Sequence, residues 1–134
     1  MPNHELVPVE LYGANNDGEK RRYAIADGVT VSKGTLLALI DPRVASYAIV
    51  TSVMCAGIAS EDHVAGQNVL SISAWTNGIF ESYASGAIAV GAAISVAGPD
   101  SVQTATAGAS GAMIIGYSLE AAGDLEKVNV RILL

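Results

Sequence analysis

Cysteine, histidine and aromatic residues are scarce in this chain, and each scarcity removes a class of function. One cysteine, Cys55, in 134 residues excludes an intrachain disulfide. One Cys and two His, His4 and His63, cannot supply a zinc-ligand spacing. Cations are also few: seven Lys and Arg stand against thirteen Asp and Glu, for a formal net charge of −6. A nucleic-acid partner calls for the opposite balance. No apolar run approaches the ~20 residues of a membrane helix. The polar start Met1-Pro2-Asn3-His4 lacks the apolar stretch of a signal peptide. The expectation is a soluble protein made in a cytoplasm, with neither nucleic acid nor membrane as partner and with no cofactor or metal.

What remains is rich in small residues. Hydrophobic residues make up 51% of the chain and charged residues only 15%, so little charge is left to cover a free surface. Ala, Gly, Ser and Val pack in thin layers and make surfaces that self-associate. The one basic cluster, Lys20-Arg21-Arg22, lies beside Asp17 and Glu19 and reads as a solvated turn or salt-bridged edge; its functional alternative is a site for an acidic patch on a partner.

The strongest pattern is an internal repeat. Val31-x-x-Gly34-x-x-Leu37-x-Leu39 returns as Ile88-x-x-Gly91-x-x-Ile94-x-Val96, and Gly57-x-x-x-Glu61 returns as Gly116-x-x-x-Glu120. Each Glu is followed eight residues later by an apolar stretch, from Val69 and from Val128. Two similar β-rich halves are expected, over about residues 27–75 and 84–134, each too small to bury its apolar face alone.

Residues 1–16 differ from the rest and read as an extended N-terminal arm or edge strand, followed by a single all-β domain over 17–134. Pro8 keeps Leu6–Tyr12 out of a central strand, and Gly13–Gly18 reads as a loop. Short strands are expected at Arg22–Ala26, Val29–Val31, Thr35–Ile40, Tyr47–Val53, Gly57–Ala59, Val69–Trp75, Val102–Thr106, Met113–Leu119 and Val128–Leu134, with two more around Gly91 within Ile88–Val96. Ala107–Gly111 reads as a loop. Asn77-Gly78 is a strong hairpin signal, with Ile79–Tyr83 pairing back on the strand before it. Frequent glycine turns between short strands indicate an all-β fold, a compact β-sandwich, jelly-roll or barrel-like domain.

Catalytic constellations are missing, and the chain does not read as an enzyme. Cys55, in Val53-Met54-Cys55-Ala56, is an inert core thiol by its surroundings. Glu61-Asp62-His63 could touch a cation but reads as a solvated loop. Glu61 and Glu120 occupy equivalent positions; a carboxylate pair is one reading, a side chain accepting loop amides or an exposed charge the other. Gly108-Ala109-Ser110-Gly111 is not a nucleophile elbow, and no glycine-rich loop carries the Lys-Ser/Thr of a phosphate loop. Trp75 and Phe80 are either core or interface anchors.

Four blocks in the second half resemble a known family: Asn77–Glu81, Ala84–Gly91, Ile115–Ala122 and Val128–Leu133. In order and spacing they are similar to the tailed-phage capsid cement family of small head decoration proteins, over about residues 57 to 134. Asp27–Leu39 looks like the family's opening strands, whereas the N-terminal region and residues 40–56 match less. The resemblance implies a structural virion protein on the outer capsid surface, synthesised in the host cytoplasm. It would stabilise contacts between major capsid subunits and act with itself as a dimer or trimer. An edge-adding arm fits that role, and Leu6, Val7, Val9, Leu11, Tyr12, Trp75 and Phe80 are the candidate partner interface. Deleting residues 1–12 should then abolish capsid binding and leave the fold intact. Two other classes stay open: a ligand- or glycan-binding β-domain of a phage surface structure, built on Trp75 and Tyr83, and a β-domain of an enzyme whose catalytic partner lies elsewhere.

Overall fold

The computed structural model describes residues 5–11, 19–41, 43–47, 54–105 and 114–134. Among the described residues ten strands follow one another: β1 (Val7–Leu11), β2 (Glu19–Ala24), β3 (Leu36–Asp41), β4 (Val44–Tyr47), β5 (Cys55–Ala59), β6 (Ser71–Ala84), β7 (Ala93–Gly98), β8 (Ser101–Thr104), β9 (Gly116–Ser118) and β10 (Lys127–Leu133). They form one mixed all-β sheet of ten strands. Tyr12, the Gly13–Gly18 loop, most of the Tyr47–Val53 strand and the Ala107–Gly111 loop lie outside the described residues.

The sheet closes on itself twice. β6 pairs with β2 and β5, β2 with β4, β4 with β3, and β3 with β5, which makes a five-stranded ring. The second half of β6 pairs with β10 and β8, β8 with β7, β7 with β9, and β9 with β10, which makes another. The 14-residue β6 ends the first ring and begins the second. Closure removes most of the edges that a small sheet would otherwise expose.

The two rings share key hydrogen bonds. Gly34 N donates to Ala59 O as Gly91 N does to Ser118 O, and the two-way bridge Val31–His63 recurs as Ile88–Ala122. Both rings have a single parallel seam, Ala24 against Val44 and Ala84 against Val102. Both carry a register shift at the same place, between Leu39 and Asp41 and between Val96 and Gly98. The repeated glycines have a steric cause. A Cβ on Gly57 would lie 2.7 Å from Trp75 O, and one on Gly116 would overlap Arg131 O, because here one strand crosses tightly over the next.

The cores differ in filling. Ala45, Ala56 and Ala74 in the first ring stand where Val102, Ile115 and Val130 stand in the second. The volume is made up by Tyr23, whose counterpart is Ser82, and whose hydroxyl donates to Ala56 O at 2.9 Å. Between the rings lies a junction of Leu6, Leu36, Ala38, Cys55, Ile58, Trp75 and Phe80. It makes β5 buried on both faces. Two further bonds tie the junction: Leu36 N to Pro99 O at 2.7 Å and Leu6 N to Gly34 O at 2.9 Å.

Three expectations are corrected. Asn77-Gly78 is not a hairpin turn; β6 runs straight through it. Gly78 serves close approach instead, since a Cβ there would lie 2.7 Å from Glu10 O of β1. Val29–Val31 is a loop with one bridge at Val31 rather than a strand. Of the two readings of Lys20-Arg21-Arg22 the turn fails, since these residues are part of β2.

Candidate functional site

The groups with chemical potential are engaged by the fold itself. His63 is 2% exposed, not solvated as its acidic neighbours suggested. Both ring nitrogens lie 2.5 Å from backbone carbonyl oxygens, of Val29 and of Val69, so the ring pins two loops together. Glu61 accepts the Ser73 amide at 3.0 Å, and Glu120 accepts the Asn129 amide at 2.9 Å. Each carboxylate anchors a loop of its own ring to the following strand, which accounts for the repeated Glu without any shared chemistry. Among the described residues no three His, Cys, Asp or Glu side chains are grouped to hold a metal ion.

Cys55 is buried, and its thiol is pushed up from 9.0 to about 12 because burial penalises the thiolate. The nucleophilic form is therefore suppressed at neutral pH. Cys55 is expected to resist iodoacetamide at pH 8 in the folded protein and to react once urea unfolds it; rapid labelling of the folded chain would show the thiol open to solvent. The sign of the linkage follows from the same shift. The folded state keeps its proton where the unfolded chain has lost it. The Cys55 contribution to stability is thus whole below pH 9 and declines as pH rises toward 12.

The candidate interface residues divide into two groups. Trp75 (4% exposed), Phe80 (0%) and Leu6 (2%) belong to the junction. The two rings are 5.8 Å apart and tilted by 48°, an ordinary core pair. Among the described residues Trp75 Nε1 has no hydrogen-bond partner, and Lys33 Nζ sits 5.5 Å from the ring centroid. A buried Trp75 offers no stacking face to a sugar. Leu11 is partly buried against the same core, and Tyr12 lies outside the described residues.

Val7 and Val9, by contrast, are 53% and 57% exposed on β1. β1 is an edge strand antiparallel to the second half of β6, from Val7 opposite Glu81 to Leu11 opposite Gly78. Apolar side chains also project from equivalent loops of the two rings: Val64, Val69 and Leu70 before β6, Leu119 and Leu125 before β10. Sequence reading missed these loops. Their signal was an apolar residue in each post-Glu segment, lost among the repeats of the core.

Two small barrels fused through β6, with polar groups committed to their own backbone and apolar side chains displayed on an edge and on loops, define a structural binding module. The chain belongs to the phage cement protein family, which matches residues 16–133. It is a structural protein of the phage virion. Among solved structures, the head fiber gp8.5 N base of bacteriophage phi29 is similar, with a TM-score of 0.56 and 17% identity over 85% of this chain and 92% of that one. That likeness is one of fold. No curated protein matches the chain.

Proposed function

We propose that the protein docks on the outer surface of the assembled phage shell and stabilises contacts between major capsid subunits. Family membership is the observation that carries this reading. The double barrel supports it physically. Two similar units held at fixed spacing can present similar loops to two similar subunits, so one chain bridges a joint of the lattice. Weak contacts repeated in this way gain avidity, and a ligand that binds only the assembled lattice shifts equilibrium away from disassembly. The major capsid protein is the partner in this reading, and synthesis takes place in the host cytoplasm. Val7 and Val9 on β1 supply the proposed docking face.

The test is co-sedimentation with empty shells of the parent phage. The wild-type protein should pellet saturably and raise the temperature at which shells come apart. Deleting residues 1–12 is the wrong variant, because Leu6 is core and β1 covers Phe80. Val7→Asp with Val9→Asp leaves the core untouched and should weaken pelleting at least tenfold with an unchanged unfolding curve. Shells that bind the double variant as tightly as wild type would remove β1 from the docking face, and shells that bind neither protein would remove the cement role.

A further inference from the structure

The two rings hold one loop alike and fill its tip differently. Three residues past the bridge at His63, Gly66 N donates to Asp27 O at 3.2 Å; three past the bridge at Ala122, Leu125 N donates to Ala84 O at 2.8 Å. Both tips are left-handed, with φ 85° at Gly66 and 63° at Leu125. Glycine adopts that conformation freely, whereas the Cβ of leucine crowds the following carbonyl. Among the described residues two other non-glycines share a positive φ, Asn68 and Arg43. Asparagine tolerates it, and the Arg43 guanidinium gains a bond to Arg22 O at 3.3 Å. Leu125 gains nothing of the kind. It belongs to neither buried cluster, and at 70% it is the most exposed large apolar side chain among the described residues. The tip that carries it is tied down on both sides. Glu126 N donates to Gly123 O at 3.1 Å, Gly123 N to Glu126 Oε1 at 2.5 Å, Gly86 N to Asp124 Oδ1 at 2.7 Å and Ala84 N to Glu126 O at 2.9 Å. A rigid loop thus displays leucine where the first ring manages with glycine.

Backbone strain and apolar exposure, together and with no gain to the core, are the marks of a contact made outside the chain. The flanks of the tip give the chemistry of what it meets. Asp124 and Glu126 stand on either side of Leu125 and are exposed. Lys127, the next cation along the chain, is drawn away: its ammonium lies 3.6 Å from Glu81 and over the Tyr83 ring. The tip is therefore an apolar knob with an acidic rim. We propose that Leu125 seats in an apolar pocket with a basic rim on a subunit of the phage shell, and so anchors the second ring to the lattice. The proposal rests on the docking reading above and adds to it the residue and the character of its receptor. A second copy of this chain is a poor host, because its net charge of −6 sets acidic surface against the acidic rim. Gly66 gives the first ring no such knob, so the two rings meet the lattice through different side chains.

Leu125→Gly gives the second ring the residue that the first already has, so the variant separates binding from folding. Its unfolding temperature should equal or exceed that of wild type, while its affinity for empty shells in co-sedimentation should fall about tenfold or more, the loss expected when a leucine no longer leaves water for a pocket. Leu125→Asn keeps a residue suited to the left-handed backbone and should lose binding likewise, which excludes loosening of the loop by glycine as the cause. Leu125→Met should bind close to wild type. Glu126→Gln retains an acceptor for Gly123 N and removes one rim charge, and it should weaken binding severalfold. Gly and Asn variants that pellet as wild type does overturn the proposal, and an unchanged Glu126→Gln overturns the basic rim. A wild-type oligomer on a sizing column that Leu125→Gly takes apart would seat the leucine in a second copy and overturn it too. Shells that bind no wild-type protein remove the docking reading and this anchor together; shells that bind wild type and both Leu125 variants equally remove the anchor alone.

Discussion

Gly116→Ala is expected to destabilise the protein by about 3–5 kcal/mol, from a strained positive φ together with overpacking in a closed ring. Gly116 has φ 159°, and a Cβ there would run into Arg131 O of β10. The obstacle is backbone, not the end of a flexible side chain, so relief requires β9 to move off β10. That shift breaks the Val130–Ser118, Arg131–Tyr117 and Ile132–Gly116 pairings on which closure of the second ring rests. Total stabilities are usually only ~5–15 kcal/mol, so the loss shows as a large drop in the urea midpoint or as failure to accumulate folded protein. Gly28→Ala, where a methyl group meets open space, should change stability by under about 1 kcal/mol. Similar midpoints for the two variants would mean that the strands are not crossed so tightly.

Phe80→Ala is the second large expectation, at about 3–5 kcal/mol. The ring is fully buried at the junction, packed on Trp75 and covered by β1. Removing it leaves a cavity where the two barrels meet, and neighbours on closed rings have little freedom to fill it. The chain's single tryptophan sits against that cavity and reports on it. Indole emission should shift to the red in the variant even before unfolding, while Val9→Ala, at an exposed site, should leave both emission and stability near wild type. Unchanged emission in Phe80→Ala would place Trp75 outside the junction.

The fold was legible in the sequence where geometry leaves one solution. Gly57 and Gly116 recur because no side chain fits where the strands cross, and Glu61 and Glu120 recur because each accepts an amide at the same point of its ring. The core positions Leu37 and Ile94 repeat for the same reason. Local signals misled where distant strands supplied the missing partners. Asn77-Gly78 has the chemistry of a tight turn, but β10 and β1 pair with the chain on either side of it and hold it extended. His63 sits among charged residues in sequence and in the core in space, because two carbonyls from separate loops converge on its ring. Of the candidate interface, Val7 and Val9 emerged exposed; Leu6, Trp75 and Phe80 did not, since an apolar residue on a strand looks the same in sequence whether it meets its own core or a partner.

The sequence by itself determined an all-β chain built twice over, with no intrachain disulfide and with a family pattern strong enough to give it a class. Repeats, turn residues and composition are local quantities, and a linear reading recovers them. Tertiary structure alone decided that the two units are closed barrels fused through β6, that β1 lies against the second half of β6, and that the aromatic pair joins the barrels rather than facing a partner. Those outcomes depend on which strands meet across long separations, such as β1 with β6 and β2 with β4. Pairing energy there is set by backbone edges and shared burial, and neither is written in the residues of one segment.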